Sequence, residues 1–222
     1  MLRITGLSKS YLQRGIVLDN LELEVNEGDT IAVTGPSGSG KTTLLNLIGL
    51  LDSPDAGDIL FRNVSILGFD SDRAADYRNR NIGFVFQDHL LMPHLTISEN
   101  ILLPVLARRP DAKSMKEDEA YCFELMDEVG ISDLKNKYPS QISGGEAQRA
   151  SLVRSLINRP SMLLADEPTG SLDAANADIL SDLLVKMNRQ HGISVITATH
   201  SPSLSGKMSR RLGLERGLLA AY

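Results

Sequence analysis

One run of eight residues constrains the fold of this chain more than any other feature. Gly35-Pro36-Ser37-Gly38-Ser39-Gly40-Lys41-Thr42 matches G-x-x-x-x-G-K-[ST] at every fixed position. The stretch before it, Thr30 to Thr34 (TIAVT), reads as a short apolar strand, and the stretch after it, Lys41 to about Leu51, reads as a helix. Glycines let the backbone wrap closely, so successive N–H groups converge on phosphate oxygens. The positive end of the following helix adds to that field. Lys41 can reach β- and γ-phosphates, and Thr42 can place its hydroxyl on Mg²⁺, with Thr43 next to it in the same cradle. The plain alternative, a Gly-rich turn with a chance lysine, would have to reproduce eight positions and both flanks.

The rest of the chain alternates in a way that suits this loop. Leu21, Leu23 and Val25 alternate with Glu22 and Glu24 as in a half-buried strand. Asp58 to Arg62 and Ile82 to Phe86 are further strand candidates. From about Asp88 to Arg159 the pattern turns to helix and loop. Cys122, Leu125, Met126 and Val129 fall on one helical face, and Ala150, Val153, Leu156 and Ile157 fall on another. Strand character returns at Ser161 to Ala165. A helix is expected around Ile179, Leu180, Leu183, Leu184 and Met187, then a strand at Ile193 to Thr199. The expected fold class is α/β: a P-loop NTPase core with a mostly parallel sheet, an N-terminal antiparallel β part and an inserted helical subdomain. The domain reading is a single domain over 1–222, with 1–87 and 160–222 forming the nucleotide-binding core and 88–159 the helical insertion.

Composition narrows the class. Hydrophobic residues make up 42 % of the 222 and charged residues 23 %, ordinary values for a globular domain with a substantial core. The net charge of −5 offers no basic footprint for nucleic acid. A single cysteine, Cys122, cannot form an internal disulfide, which fits a reducing compartment. The first residues show no apolar run of the signal-peptide kind, and Ile101 to Ala107, interrupted by Pro104, is far short of a membrane span. If the protein works at a membrane, the spanning part is expected to be another chain.

A second chemical feature lies at a strand end. Met162-Leu163-Leu164-Ala165 leads into Asp166-Glu167. An aspartate there can hold Mg²⁺, and a carboxylate one residue on can orient the water that attacks the γ-phosphate. Alone, Asp-Glu-Pro after a strand is an ordinary polar turn. The phosphate cradle decides in favour of Asp166 as metal partner and Glu167 as base.

Ser143-Gly144-Gly145-Glu146-Ala147-Gln148-Arg149 lies shortly before that acidic strand. It resembles the signature sequence of ABC ATPases, and the resemblance extends from Ser8 to about Ala221. The resemblance implies further roles. Tyr11 stands where an aromatic stacks on adenine, and a packing tyrosine is the alternative. Gln87 resembles the glutamine that links Mg²⁺ to the helical subdomain. Ser171-Leu172-Asp173 looks like a loop that crosses to a partner subunit, and His200 resembles the histidine that contacts the γ-phosphate. Ser143, Gly144, Gly145 and Glu146 are implied to cover the γ-phosphate held by a second copy, so that ATP and Mg²⁺ sit between two chains of a homodimer. The sequence departs from the usual pattern at Ile142, at Glu146 and at Ser201, the last bearing on how His200 is placed.

The resemblance also implies an integral membrane permease as partner, no nucleic acid, and a peripheral place on the cytoplasmic face of the inner membrane. The segment Gln87 to Leu95 is implied to form the docking groove. Its residues alone leave two readings open, an exposed partner patch or side chains closing the core at Leu90, Leu91 and Leu95. PTGSLDAANAD, QDHLLMPHLT and KMSRRLGLERG are similar to segments of lipoprotein-releasing ATPases, and also to those of macrolide exporters and the cell-division ABC complex. A soluble ABC ATPase of translation or DNA repair is the other class. Such proteins show two cassettes or a long coiled-coil insertion, which 222 residues do not accommodate.

Overall fold

Strict alternation at the start of the chain produces a half-buried antiparallel pair. The computed structural model describes residues 1–221. Strand β1 (Leu2–Tyr11) pairs with β2 (Gly15–Val25), placing Leu2 opposite Val25 and Ile4 opposite Leu23, all buried, while Glu22 and Glu24 face solvent. Next come β3 (Thr30–Thr34) and helix α1 (Lys41–Ile48), which ends at Gly49, short of the expected Leu51. A side chain at Gly49 would overlap the Phe84 ring, so the chain turns there. Strands β4 (Ala56–Phe61) and β5 (Val64–Ser65) complete a four-stranded antiparallel sheet in the order β2-β1-β4-β5.

Helix α2 (Ser71–Asn81) has no counterpart in the sequence reading. It is polar along its length and buries only Tyr77, so it has no apolar stripe to betray it. Its start is fixed by Asp70, whose carboxylate accepts from the Arg73 N–H at 2.8 Å. Strand β6 (Ile82–Val85) leads to three helices, α3 (Ile97–Leu106), α4 (Ala112–Glu128) and α5 (Gly144–Leu156). Then follow β7 (Met162–Asp166), α6 (Ala174–His191), β8 (Ser194–Ala198), the short α7 (Pro202–Lys207) and a terminal hairpin, β9 (Arg210–Glu215) and β10 (Leu218–Ala221). The sequence reading did not resolve that hairpin. Arg216 and Gly217, both at positive φ, form its turn.

The second sheet runs β10-β9-β3-β8-β7-β6, parallel except for β10. Its central strands are mostly apolar and almost wholly buried because both faces are covered, with Thr30, Ser194 and Thr197 the buried polar exceptions. Ile31, Val33, Leu164 and Ile196 pack with α1 and the antiparallel sheet. Ala32, Leu163, Ala165 and Val195 pack in one cluster with α3 to α6, so the helical segment shares the core of the sheet. This order sets the C-terminal ends of β3, β8, β7 and β6 side by side, the edge at which open α/β sheets bind ligands.

Candidate active site

The phosphate loop leaves the end of β3, and its glycines are required by close contacts. Gly35 has φ 150°, and a Cβ there would sit 2.2 Å from the Leu214 carbonyl oxygen. Gly40 has φ 107°, with Val17 and Leu18 within 3.0 Å of any Cβ. Lys41 opens α1 and is almost wholly buried. Its ammonium donates to the Gly35 and Pro36 carbonyls at 2.9 and 3.2 Å and lies 3.0 Å from His200 Nε2. A buried cation in a glycine-rich loop at a helix start is the arrangement that suits an anion of high charge. A cavity of about 850 Å³ adjoins it, lined by Tyr11, Leu12, Val17, Ser37 and Gly38 together with residues 40–43.

Tyr11 lies on that wall, and its ring is fixed. The hydroxyl donates to Asp52 Oδ2 at 2.5 Å, and Lys9, bound to Asp52 Oδ1 at 2.9 Å, sits 5.0 Å above the ring centroid. Burial alone would raise the Asp52 pKa, but the Tyr11 and Lys9 hydrogen bonds outweigh it and hold the carboxyl below its ordinary range. Sequence reading missed Asp52, which lies 41 residues from the tyrosine it orients.

The acidic pair ends β7, with one strand between it and β3. Thr42 Oγ1 donates to Asp166 Oδ1 at 3.2 Å. Burial pushes the Asp166 pKa up; the Thr42 hydrogen bond opposes this, the Glu167 charge adds to it and Lys41 counters it. Glu167 adopts φ 45°, a left-handed conformation rarely taken outside glycine and costing about 1–3 kcal/mol. Its N–H donates to the Ala198 carbonyl at 2.8 Å and its carbonyl accepts from the Gly170 N–H at 2.9 Å. These bonds turn the side chain toward the end of β8. There Glu167 Oε2 accepts from the His200 N–H at 3.1 Å, while buried Oε1 has no hydrogen bond. His200 Nε2 stands 3.4 Å from that oxygen but 3.0 Å from the Lys41 ammonium. A lysine can only donate, so Nε2 accepts and the ring proton belongs on Nδ1. The ion-pair separation to Glu167 is therefore not a hydrogen bond.

Ser201, the departure beside His200, performs a definite task. Its hydroxyl caps α7 by accepting from the Leu204 N–H at 3.3 Å, the role an aspartate would take. Gln87 follows β6 at the same sheet edge; its carbonyl accepts from Ser171 Oγ at 3.0 Å. Lys41, Thr42, Asp166, Glu167 and His200 are thus one contact network, with Gln87 alongside the loop that leads from Glu167 to Asp173.

The Ser143–Glu146 segment stands apart. Among the described residues no hydrogen bond joins it to the phosphate loop. Ser143 caps α5, and Glu146 Oε2 accepts from both the Ser143 N–H (2.7 Å) and its hydroxyl (2.8 Å). Those two bonds hold the Glu146 carboxyl below its ordinary pKa. A Cβ on Gly144 would meet nothing within 4 Å, whereas a Cβ on Gly145 would meet Asn176 Oδ1 at 2.4 Å. One chain therefore carries two capped or glycine-rich helix starts, at Lys41 and at Gly144, with no hydrogen bond between them among the described residues.

Residues 18–170 match the ABC transporter family. The chain belongs to that family. It is 42 % identical to the lipoprotein-releasing system ATP-binding protein LolD 1 of Rhodopirellula baltica, over 99 % of this chain and 96 % of that protein. It is 39 % identical to LolD of Syntrophus aciditrophicus over 98 and 97 %. Among solved structures, the dimeric bacterial ABC transporter cassette MJ0796 superposes with a TM-score of 0.89 at 35 % identity, covering 99 % of this chain and 96 % of that one. A dimeric post-hydrolysis state of the same cassette, bound to ADP and Pi, gives 0.88 at 32 % identity, covering 100 and 98 %.

For this ABC transporter chain the structure also divides the 87–95 segment. Leu91 is buried against Ile97 and Ile101 and belongs to the core, so for that position the packing reading is the correct one. Leu90 and Met92 are 56 and 52 % exposed. Arg154, whose guanidinium donates to the carbonyls of His89 and Leu90 at 2.7 Å each, holds the strained turn that presents them. Beside this turn a cavity of about 370 Å³ opens between α2, β6, α3 and α5, lined by Arg78, Phe84, Phe86 and Arg154 among others.

Proposed function

We propose that this chain is the ATP-binding and ATP-hydrolysing subunit of an ABC transporter that drives lipoprotein release, acting as a homodimer beneath a separate membrane permease. The observation that carries this is the set of contacts at one sheet edge: the buried Lys41 ammonium lies against His200 Nε2, the His200 backbone N–H donates to Glu167, and Thr42 donates to Asp166. It sets a phosphate-binding cation, a hydroxyl and two carboxylates at one sheet edge. The two relatives of 42 and 39 % identity, both ATP-binding proteins of lipoprotein-releasing systems, support the cargo. The dimeric cassettes support the assembly.

Adenine stacks on Tyr11, and the phosphates lie in the 35–43 cradle against Lys41. Thr42, Asp166 and Gln87 would hold Mg²⁺. The fit is chemical: hard oxygen donors, one of them a carboxylate whose pKa is raised by burial and whose charged form a cation would favour. No group of three or more acidic, His or Cys side chains capable of holding a metal occurs among the described residues. When bound, Mg²⁺ neutralises charge on the β- and γ-oxygens. Glu167 Oε1, buried without a donor, is the free acceptor for a proton of the attacking water. His200 contacts the γ-phosphate. The Ser143–Glu146 end of the second copy closes each site, a reading the dimeric cassettes support.

No helix among the described residues is long and apolar enough to cross a membrane. The permease supplies the span, and the exposed Leu90 and Met92, held by Arg154, form part of its seat on the cytoplasmic face. Phosphate release by the purified chain, compared with Lys41→Ala, tests the reading. Loss of the buried cation should abolish turnover and weaken nucleotide binding; a Lys41→Ala chain that turns over at the native rate overturns it.

A further inference from the structure

The tyrosine on the wall of the nucleotide cavity is held by a residue that does not line that cavity. Asp52 lies four residues past the end of α1, and both its oxygens are in use. Oδ2 accepts from the Tyr11 hydroxyl at 2.5 Å. Oδ1 accepts from the Lys9 ammonium at 2.9 Å and from the Ser53 N–H at 2.7 Å. The same ammonium donates to the Ser53 carbonyl at 2.6 Å, and the Lys9 side chain is only 11 % exposed. A phenol, a carboxylate and a lysine are thus paired in a half-buried setting, where charge-assisted hydrogen bonds are stronger than on an open surface.

The segment after α1 takes hold of β1 at a second point. Asp55 Oδ2 accepts from the Ser10 N–H at 2.6 Å and from its hydroxyl at 2.7 Å, and the Asp55 N–H donates to the Ser8 carbonyl at 2.9 Å. The last residues of β1, up to Tyr11, are therefore fastened to the chain that leaves α1. Thr43, in the first turn of α1, acts on the same hydroxyl: burial and then the Asp52 carboxylate raise the Tyr11 pKa, and Thr43 opposes them. Both the start of α1 and the segment beyond its end thus bear on one phenol, and that helix carries Lys41. Lys9 stands over the ring but does not line the cavity, so the cavity side of the ring is left open for a base.

We propose that Asp52, with Lys9 paired to it, is a positioning residue for the base of the nucleotide: it locks the Tyr11 ring to α1, so the base platform stands in a fixed place relative to the phosphate cradle before the nucleotide arrives. This rests on the ATPase reading above and adds to it the group that readies the base subsite. Removing an aromatic on which a base stacks costs roughly 5- to 150-fold in affinity. A ring free to turn must be ordered on binding, which takes back part of that gain. Asp52 has no hydrogen bond to Lys41, Thr42 or Asp166, so its effect falls on the base and spares the phosphates.

The test compares ligands with and without a base. ATP and inorganic tripolyphosphate, each with Mg²⁺, are titrated by equilibrium binding against the native chain, Asp52→Ala, Tyr11→Phe and the double variant, with Tm recorded for each. Tyr11→Phe keeps the ring and loses only the hydroxyl. The expected result is a fall of about three- to tenfold in ATP affinity for both single variants, with tripolyphosphate affinity within about twofold of native. The double variant should be no weaker than Asp52→Ala, because the two changes remove one shared contact. An Asp52 that served stability alone would lower Tm and weaken both ligands alike, and that outcome overturns the proposal. Native ATP affinity in Tyr11→Phe overturns it too, as do additive losses in the double variant. Should Asp52→Ala fail to fold, Tyr11→Phe decides alone. A native chain that binds neither ligand would instead defeat the ATPase reading, so the two failures are distinguishable.

Discussion

Replacing Glu167 with glutamine should separate binding from hydrolysis. Glu167 Oε2 accepts one hydrogen bond, from the His200 N–H at 3.1 Å, and an amide oxygen can accept it equally. The left-handed backbone is held by main-chain bonds to Ala198 and Gly170, which the substitution does not touch. The fold and the approach to the phosphates therefore stay. What disappears is the charge and the buried acceptor Oε1, the atom with no other hydrogen-bond duty. Loss of one preorganised catalytic group costs about 10²–10³ in rate, and a general base contributes about 10²–10⁴. We expect kcat to fall by at least ~10²-fold, close to 3 kcal/mol of barrier. ATP affinity should stay within about threefold, because Lys41, Thr42 and Asp166 remain. Removing the Glu167 charge also lowers the Asp166 pKa toward its ordinary range, since that charge is one of the causes raising it. Metal binding should therefore not suffer. ATP then persists between two chains. Single-turnover phosphate release and size-exclusion with and without Mg-ATP are the assays. A loss of less than tenfold in kcat would remove Glu167 as the base. An inactive variant that never dimerises with ATP, alone or with its permease, would refute the nucleotide-bridged assembly.

Two further outcomes follow from contacts described above. Leu91→Ala should cost about 2–5 kcal/mol and lower Tm by roughly 4–20 °C, as for a buried leucine in a chain of this size, whereas Leu90→Asp and Met92→Asp should leave Tm nearly unchanged yet reduce co-purification with the permease; equal melting of all three would contradict the assignment. Ser143→Arg should block activity by itself, but mixing it with Lys41→Ala chains yields dimers with one intact site, and partial recovery of turnover is expected; no recovery in verified mixed dimers would count against composite sites.

How much of this was visible beforehand depends on the range of the forces involved. The phosphate loop, β3 and α1 were legible because glycine freedom, strand hydrophobicity and the Lys41 position all act within a dozen residues. The end of β7 was legible for the same reason, since four apolar residues followed by Asp166-Glu167 define a strand and its rim locally. Helix α2 was not, because a helix that buries only Tyr77 leaves no periodic trace. Leu90 and Leu91 looked alike because a loop has no period to separate inward from outward neighbours. Arg154, 64 residues from Leu90, decides it by clamping two carbonyls. Stacking and packing both stay open for Tyr11 from its own neighbours, and the contact that fixes its ring, the hydroxyl on Asp52, comes from 41 residues away.

Gln148 carried a local signal of another kind. A glutamine flanked by Ala147, Ala150 and Leu152 on the inward side of a helix must satisfy its amide there or be expelled, because an unpaired buried amide costs about 1–3 kcal/mol. Burial of such a group predicts that backbone carbonyls wait for it, although not which ones. Here they are the carbonyls beside Gln87 and Glu167, 62 and 20 residues from the glutamine itself. A hydrophobic residue at 148 would fill the same space and leave those two loops free of each other. The amide is therefore best explained by the two carbonyls it satisfies and the loops it joins.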